Sequence, residues 1–193
     1  LGTLLTIVVS LIAGWPLPLL PIQILWVNLV GDGIMGTPLA LEQKEKDLLE
    51  QKWQRSDRKL IDLPAVRRLT LMGLIMTIGT LFVFGLYFND DMAKALTLSF
   101  TTMAVFQWFN AWNCRSETKS IFSSHLWSNK TIIFATLFVF CLQLLAVYTP
   151  IMQSILHTVP LSVADWVLVF ATGSSILIAE EIRKFISRRR KSS

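Results

Sequence analysis

One acidic residue stands where an ionised side chain is costly. Asp32 falls near the middle of an apolar run, Ile24-Leu-Trp-Val-Asn-Leu-Val-Gly-Asp-Gly-Ile-Met-Gly-Thr-Pro38. An ionised carboxylate at mid-bilayer costs roughly 2.5–3.5 kcal/mol on insertion scales, so such a residue is a functional candidate. The other acids lie in connections or near the ends of apolar runs. Asn28 comes four residues earlier, which puts an amide oxygen and a carboxylate on one helix face, the donor types that replace the water shell of a hard cation. Gly31, Gly33, Gly36 and Pro38 surround the pair. Glycine weakens a helix and proline removes a donor, so local unwinding is expected to free backbone carbonyls as further ligands. The same two residues would also serve an interhelical hydrogen bond, with the glycines allowing close helix contact.

One carboxylate and one amide do not complete a calcium shell of six to eight oxygens. Further donors in the chain are Gln107, Asn110 and Asn113, spaced by three along a later apolar run. Gln107 suits either helix–helix hydrogen bonding or a position near an ion, whereas Asn110 and Asn113 suit packing and capping. His125 and His157 are far apart and do not suggest a metal pair. Cys114 and Cys141 form no metal or disulfide pattern and are expected to be small packing residues. No phosphate-binding loop, nucleophile elbow or H-E-x-x-H pair occurs.

These residues need a membrane to hold them. Of the 193 residues, 53% are hydrophobic and 16% charged, and the mean hydropathy is +0.54, which argues against a soluble single-core protein. Six apolar runs, at about 1–14 (truncated), 20–41, 65–88, 94–113, 130–149 and 163–184, predict an all-α polytopic transmembrane bundle with no soluble domain. The chain opens inside the first run without a start methionine or a basic flank, as a fragment cut within a helix would.

Of the 18 Lys and Arg residues, 17 fall on alternate connections, and Lys94 alone lies on the opposite side. The connections at 15–19, 89–91 and 150–162 carry none. By the positive-inside rule, the loop 42–63 and the basic tail 185–193 are then cytoplasmic. Within that loop, 42–62 mixes charge with Leu48, Leu49 and Trp53 as a short interfacial helix would. The net charge of +5 fits juxtamembrane contact with anionic lipid and does not call for nucleic acid. Trp15, Trp127 and Trp166 sit at run ends, where indoles settle at the interface.

At Leu19-Leu-Pro-Ile-Gln-Ile-Leu-Trp-Val-Asn-Leu-Val-Gly-Asp-Gly33 the sequence resembles the sixth transmembrane helix of P-type II cation ATPases, the family of the sarcoplasmic-reticulum, secretory-pathway and plasma-membrane calcium pumps. Phe106-Gln-Trp-Phe-Asn-Ala-Trp-Asn-Cys-Arg-Ser-Glu117 is similar to the eighth helix, and Ala179-Glu-Glu-Ile-Arg-Lys-Phe185 to the end of the tenth. The resemblance covers nearly the whole chain, as helices five (partial) to ten. It implies that Asn28 and Asp32 bind the transported ion. It also draws attention to Thr3, which stands where two-calcium pumps have a Glu, to Gly31 where they have a Thr, and to Gln107 where they have a Glu. These departures imply calcium transport with one ion per cycle.

The resemblance further implies partners in the rest of the same pump, its fourth helix and cytoplasmic domains, besides membrane lipid. ATP and magnesium belong to those domains, and the fragment alone is expected to be inactive. The alternatives are a non-catalytic membrane subunit or truncated paralogue acting in assembly, or a pump for manganese or a monovalent cation.

Overall fold

The computed structural model describes residues 1–40, 63–114 and 130–191, and for Asp32, 38–40, 63–64 and 187–191 it describes the backbone alone. The interfacial helix expected at 42–62, and Arg115, Lys119, His125 and Trp127, lie outside the described residues.

The described residues form helices joined by short turns and contain no strand. In order they form α1 (Gly2–Ile12), α2 (Pro21–Trp26), a π-helix (Val27–Ile34), α3 (Met35–Ala40), α4 (Leu63–Tyr87), α5 (Met92–Asn113), α6 (Lys130–Tyr148), α7 (Pro150–Leu156) and α8 (Val163–Lys191). Three helices are long and apolar enough to cross a membrane: Ala65–Tyr87, Lys130–Tyr148 and Val163–Ile186. They turn large apolar side chains outward, among them Ile78, Phe82, Phe134, Leu137 and Val167, as a lipid-facing surface requires. α8 runs on past 184 to Lys191, so much of the expected tail is helical backbone.

The core forms around α5. Fourteen of its 22 residues are buried, from Ala95 to Asn113 and on every side of the helix. A helix buried all round shows no single apolar stripe, and α5 packs against α4, α8, the π-helix, α3 and α6. The buried hydroxyls of Ser99 and Thr101 turn back onto their own helix, to Ala95 O (2.8 Å) and Thr97 O (2.8 Å). Gln143 Nε2 of α6 also donates to Thr101 Oγ1 at 3.3 Å.

The starts of α5 and α8 meet through charge. Asp91 caps α5 by accepting from Lys94 N (3.0 Å), and the Lys94 ammonium meets Asp165 at 2.9 Å. Asp165 is itself 3% exposed and closes a capping box at the start of α8, accepting from Ser162 N at 2.9 Å while its own N–H meets Ser162 Oγ at 3.2 Å. The basic residue that stands against the charge pattern thus has a buried partner that accounts for it.

Some packing expectations change. Cys114 and Cys141 are both exposed, so neither is a packing residue; Cys141 points from α6 to the apolar exterior that Phe138 and Leu145 share. Trp15 packs at a tilt against Phe88, ring centres 5.0 Å apart, and Trp166 Nε1 donates to Tyr148 Oη at 2.9 Å. His157 ends α7 in the left-handed region at φ 53°. A side chain there strains the backbone, and His157 is exposed, so His157→Gly is expected to stabilise the protein by about 0.5–1 kcal/mol; thermal unfolding in detergent checks it.

Candidate cation site

The run that carries Asn28 and Asp32 is one continuous helical stretch, Pro21–Ala40, with a π-helix in its middle. Pro38 explains where the ladder changes. It has no N–H to offer the carbonyl four residues back, and that residue is Ile34, the last of the π-helix. Gly31 and Gly33, poor helix formers, sit within the wide turn. The expected unwinding is therefore a widened helix, which shifts backbone pairing from four residues to five. The same-face relation of Asn28 and Asp32 was drawn from α-helical spacing; the two now lie about one wide turn apart.

Above this segment the chain is anchored by Gln23, which is fully buried. Its Oε1 accepts from Leu20 N at 3.1 Å and its Nε2 donates to Leu156 O at 3.0 Å, tying the start of α2 to the end of α7. Below it, Met35 is buried against α6, where Thr136 Oγ1 lies 3.9 Å from its sulfur.

The π-helix has two unlike faces. Val27, Val30 and Gly31 are buried against the bundle, whereas Asn28, Leu29 and Gly33 are exposed. Gly31 faces α5 so closely that a Cβ there would overlap Gln107 Oε1. That oxygen is buried and accepts no hydrogen bond among the described residues. The fold thus brings Gln107 to the backbone next to Asp32 and leaves it an unfilled acceptor. The Asp32 side chain lies outside the described residues.

The remaining candidates are elsewhere. Asn113 is fully buried, and its Nδ2 donates to Ile176 O of α8 at 3.2 Å, a packing role. Asn110 is half-buried, and its carbonyl accepts from Cys114 N in the last turn. Thr3 is half-buried on α1, whose described polar contacts run to α4, as from Thr6 Oγ1 to Thr77 Oγ1 at 3.3 Å. Gly31→Ala is expected to cost less than about 1 kcal/mol, because the atom it meets is the end of a flexible side chain whose oxygen no hydrogen bond holds among the described residues; thermal midpoints of the purified protein would read it.

Residues 16–186 match the family described as "Cation transporting ATPase, C-terminus". The chain belongs to that family. A calcium-transporting ATPase of Bacillus subtilis is 33% identical over 176 residues, which cover 90% of this chain and 20% of the relative. Calcium-transporting ATPase type 2C member 1 of Mus musculus is 32% identical over 193 residues, 99% of this chain and 21% of the relative. Calcium-transporting ATPase 1 of Saccharomyces cerevisiae is 31% identical over 178 residues, 91% of this chain and 19% of the relative. The chain spans about a fifth of the length of these relatives. As a cation-transporting ATPase C-terminus with membrane-length helices, it is an integral membrane protein region.

This member carries one charged cluster that the sequence reading passed over. Glu180 of α8 is fully buried. Arg68 of α4 reaches its Oε1 at 2.7 Å, and Arg183 adds Nε to Oε2 and a second nitrogen to Oε1, both at 2.8 Å. Arg68 also donates to Asn113 O at the end of α5 (3.3 Å). One guanidinium thus joins three helices. The signal for it in the sequence is an arginine and a glutamate at like-sided ends of two apolar runs.

Proposed function

We propose that this chain is the membrane part of an ATP-driven calcium pump, in which Asn28 and Asp32 bind the transported ion. The observation that carries the reading is the π-helix Val27–Ile34, which contains both residues; irregular helical turns of this kind are found mostly at functional sites. A wide turn leaves carbonyl oxygens less committed to the ladder, and calcium takes oxygen ligands. The outward face with Asn28 suits closure by further oxygen donors from the fourth helix of the same pump. The names of the relatives favour calcium over manganese or a monovalent cation.

What fills the space beside Gly31 supports a reading of one calcium per cycle. A second site there would need ligands from position 31 and from α5. Position 31 has no side chain, and the Gln107 amide occupies the volume one would take. Gln107 then contributes at most its single free oxygen. The chain is read as six spans with a cytoplasmic C-terminus: α4, α6 and α8 are joined by α5, by the widened span Pro21–Ala40 and by α1. ATP hydrolysis belongs to cytoplasmic domains outside this chain.

The test is ion-activated ATP hydrolysis by the whole protein in sealed vesicles. Calcium is expected to activate it along a simple saturation curve, with uptake into the vesicles. Sigmoidal activation would argue for two sites, and hydrolysis indifferent to calcium would remove the reading.

A further inference from the structure

Gln23 is a fully buried amide in an otherwise apolar stretch of the span that carries Asn28 and Asp32. Burying an amide costs free energy unless it is hydrogen-bonded, and the two bonds that Gln23 makes run to different elements. One closes the first turn of α2, from Leu20 N at 3.1 Å, and the other leaves the helix for Leu156 O at 3.0 Å, 133 residues along the chain. Leu156 is the last residue of α7 and is 1% exposed, and its carbonyl is one of those that a helix end leaves without an intrahelical partner.

What Gln23 holds on to is itself fixed. Gln153 Nε2 donates to Val147 O and Thr158 Oγ1 to Ala146 O, both at 2.6 Å and both in α6. Val159 N donates to Thr97 Oγ1 of α5 at 3.0 Å. The α7 segment is thus a bracket across α5 and α6, and its end reaches the span with the ion candidates one turn before the wide turn begins. Val27, the first residue of the π-helix, follows Gln23 by four residues, and Asn28 by five.

A π-helix is rare, and its wide turn holds one residue more than an α-helical turn. Slipped out at either end, that residue would leave an ordinary α-helix with its neighbours displaced by one position, about 1.5 Å along the axis and about 100° around it. Asn28 and Asp32 would then be aimed elsewhere. Below the wide turn Met35 resists the shift by packing, and above it Gln23 resists it with two directional bonds.

We propose that Gln23 is a positioning residue for the cation: pinned to the α7 bracket, it fixes the register of the wide turn and with it the aim of Asn28 and Asp32. The inference rests on the reading of those two residues as ion ligands, and Gln23 acts through them rather than on the ion.

The experiment follows calcium-activated ATP hydrolysis by the full-length protein in sealed vesicles as free calcium is varied. Gln23→Met, of similar length but without the two bonds, is expected to raise the calcium concentration for half-activation by about tenfold, the lower end of what losing a support behind a metal ligand costs. The maximal rate is expected to stay within about twofold, the pattern of weakened binding with unaltered turnover. Gln143→Met is the control. Gln143 is likewise a buried amide bonded to another helix, 1% exposed with Nε2 3.3 Å from Thr101 Oγ1, and its loss is expected to lower the thermal midpoint without moving half-activation. Gln23→Asn keeps the amide but is one methylene too short to reach both partners. It is expected to shift half-activation in the same direction by about threefold, and it gives the reading if Gln23→Met fails to fold.

Half-activation unchanged in the Gln23 variants, a fall in maximal rate alone, or an equal shift in Gln143→Met would overturn the positioning role. Those outcomes leave the ion site standing where Asp32→Asn abolishes the response to calcium. A calcium response that survives Asp32→Asn would instead remove the site that Gln23 aims.

Discussion

An Asp32→Asn variant of the full-length protein is expected to lose calcium-activated ATP hydrolysis and calcium uptake by about a hundredfold or more, while still reaching the membrane in normal amount. The change keeps size and one oxygen but removes the negative charge, the strongest donor calcium can find in this segment. It also removes the cost of an empty carboxylate at membrane depth, so the folded protein is expected to be at least as stable. The pairing of lost transport with retained stability is the informative result. A residue that serves packing alone would show the reverse, with transport preserved in whatever protein survives. Uptake of radioactive calcium, normalised to purified protein, and the thermal midpoint of the same samples read the two quantities.

The second large effect is one of stability. Glu180→Gln leaves Arg68 and Arg183 without their shared carboxylate in a position that is fully buried. Removing one partner of a buried ion pair costs about 3–5 kcal/mol, and the loss is expected to show as a lowered thermal midpoint and reduced yield of monodisperse protein in detergent. Replacing both partners, as in Arg68→Met/Glu180→Met, is expected to recover much of that loss, because Arg183 is partly exposed and finds other company. Equal destabilisation by the single and double variants would mean that side-chain volume, not charge, holds α4 to α8.

The helical class and the ion candidate were both legible in the sequence, for one reason: apolar runs stand out, and so does an acid within one. Asp32 and Asn28 needed no partner elsewhere in the chain to be noticed. The glycines and Pro38 signalled irregular backbone, but whether a helix unwinds or widens depends on one extra residue per turn. Local composition does not encode that choice. Gln107 was visible as part of a polar stripe, whereas its approach to Gly31 arises from two helices crossing, which spacing along either one cannot reveal.

The charged contacts were harder to read. Arg68 and Glu180 are far apart in the chain, as are Lys94 and Asp165, and the charge pattern assigns each to a side of the membrane without saying which neighbour it meets. The cysteines were misread because an apolar run does not distinguish the face toward protein from the face toward lipid. α5 posed the same problem in another form. It is surrounded by protein and has no preferred side, so the periodicity that marks a half-buried helix is absent.

That burial has a consequence for how the protein is made. α5 has no face suited to lipid, and the polar groups it hides find partners on segments that come later in the chain. Lys94 waits for Asp165, some seventy residues downstream, for an interval on the order of ten seconds at ordinary ribosome speed. During that time the helix is a poor lodger in the bilayer, and its safest course is to stay beside the insertion machinery or a chaperone until α8 emerges. Biogenesis of this region is thus a matter of timing as well as hydrophobicity, and a helix made well after α5 is the one that makes α5 permanent.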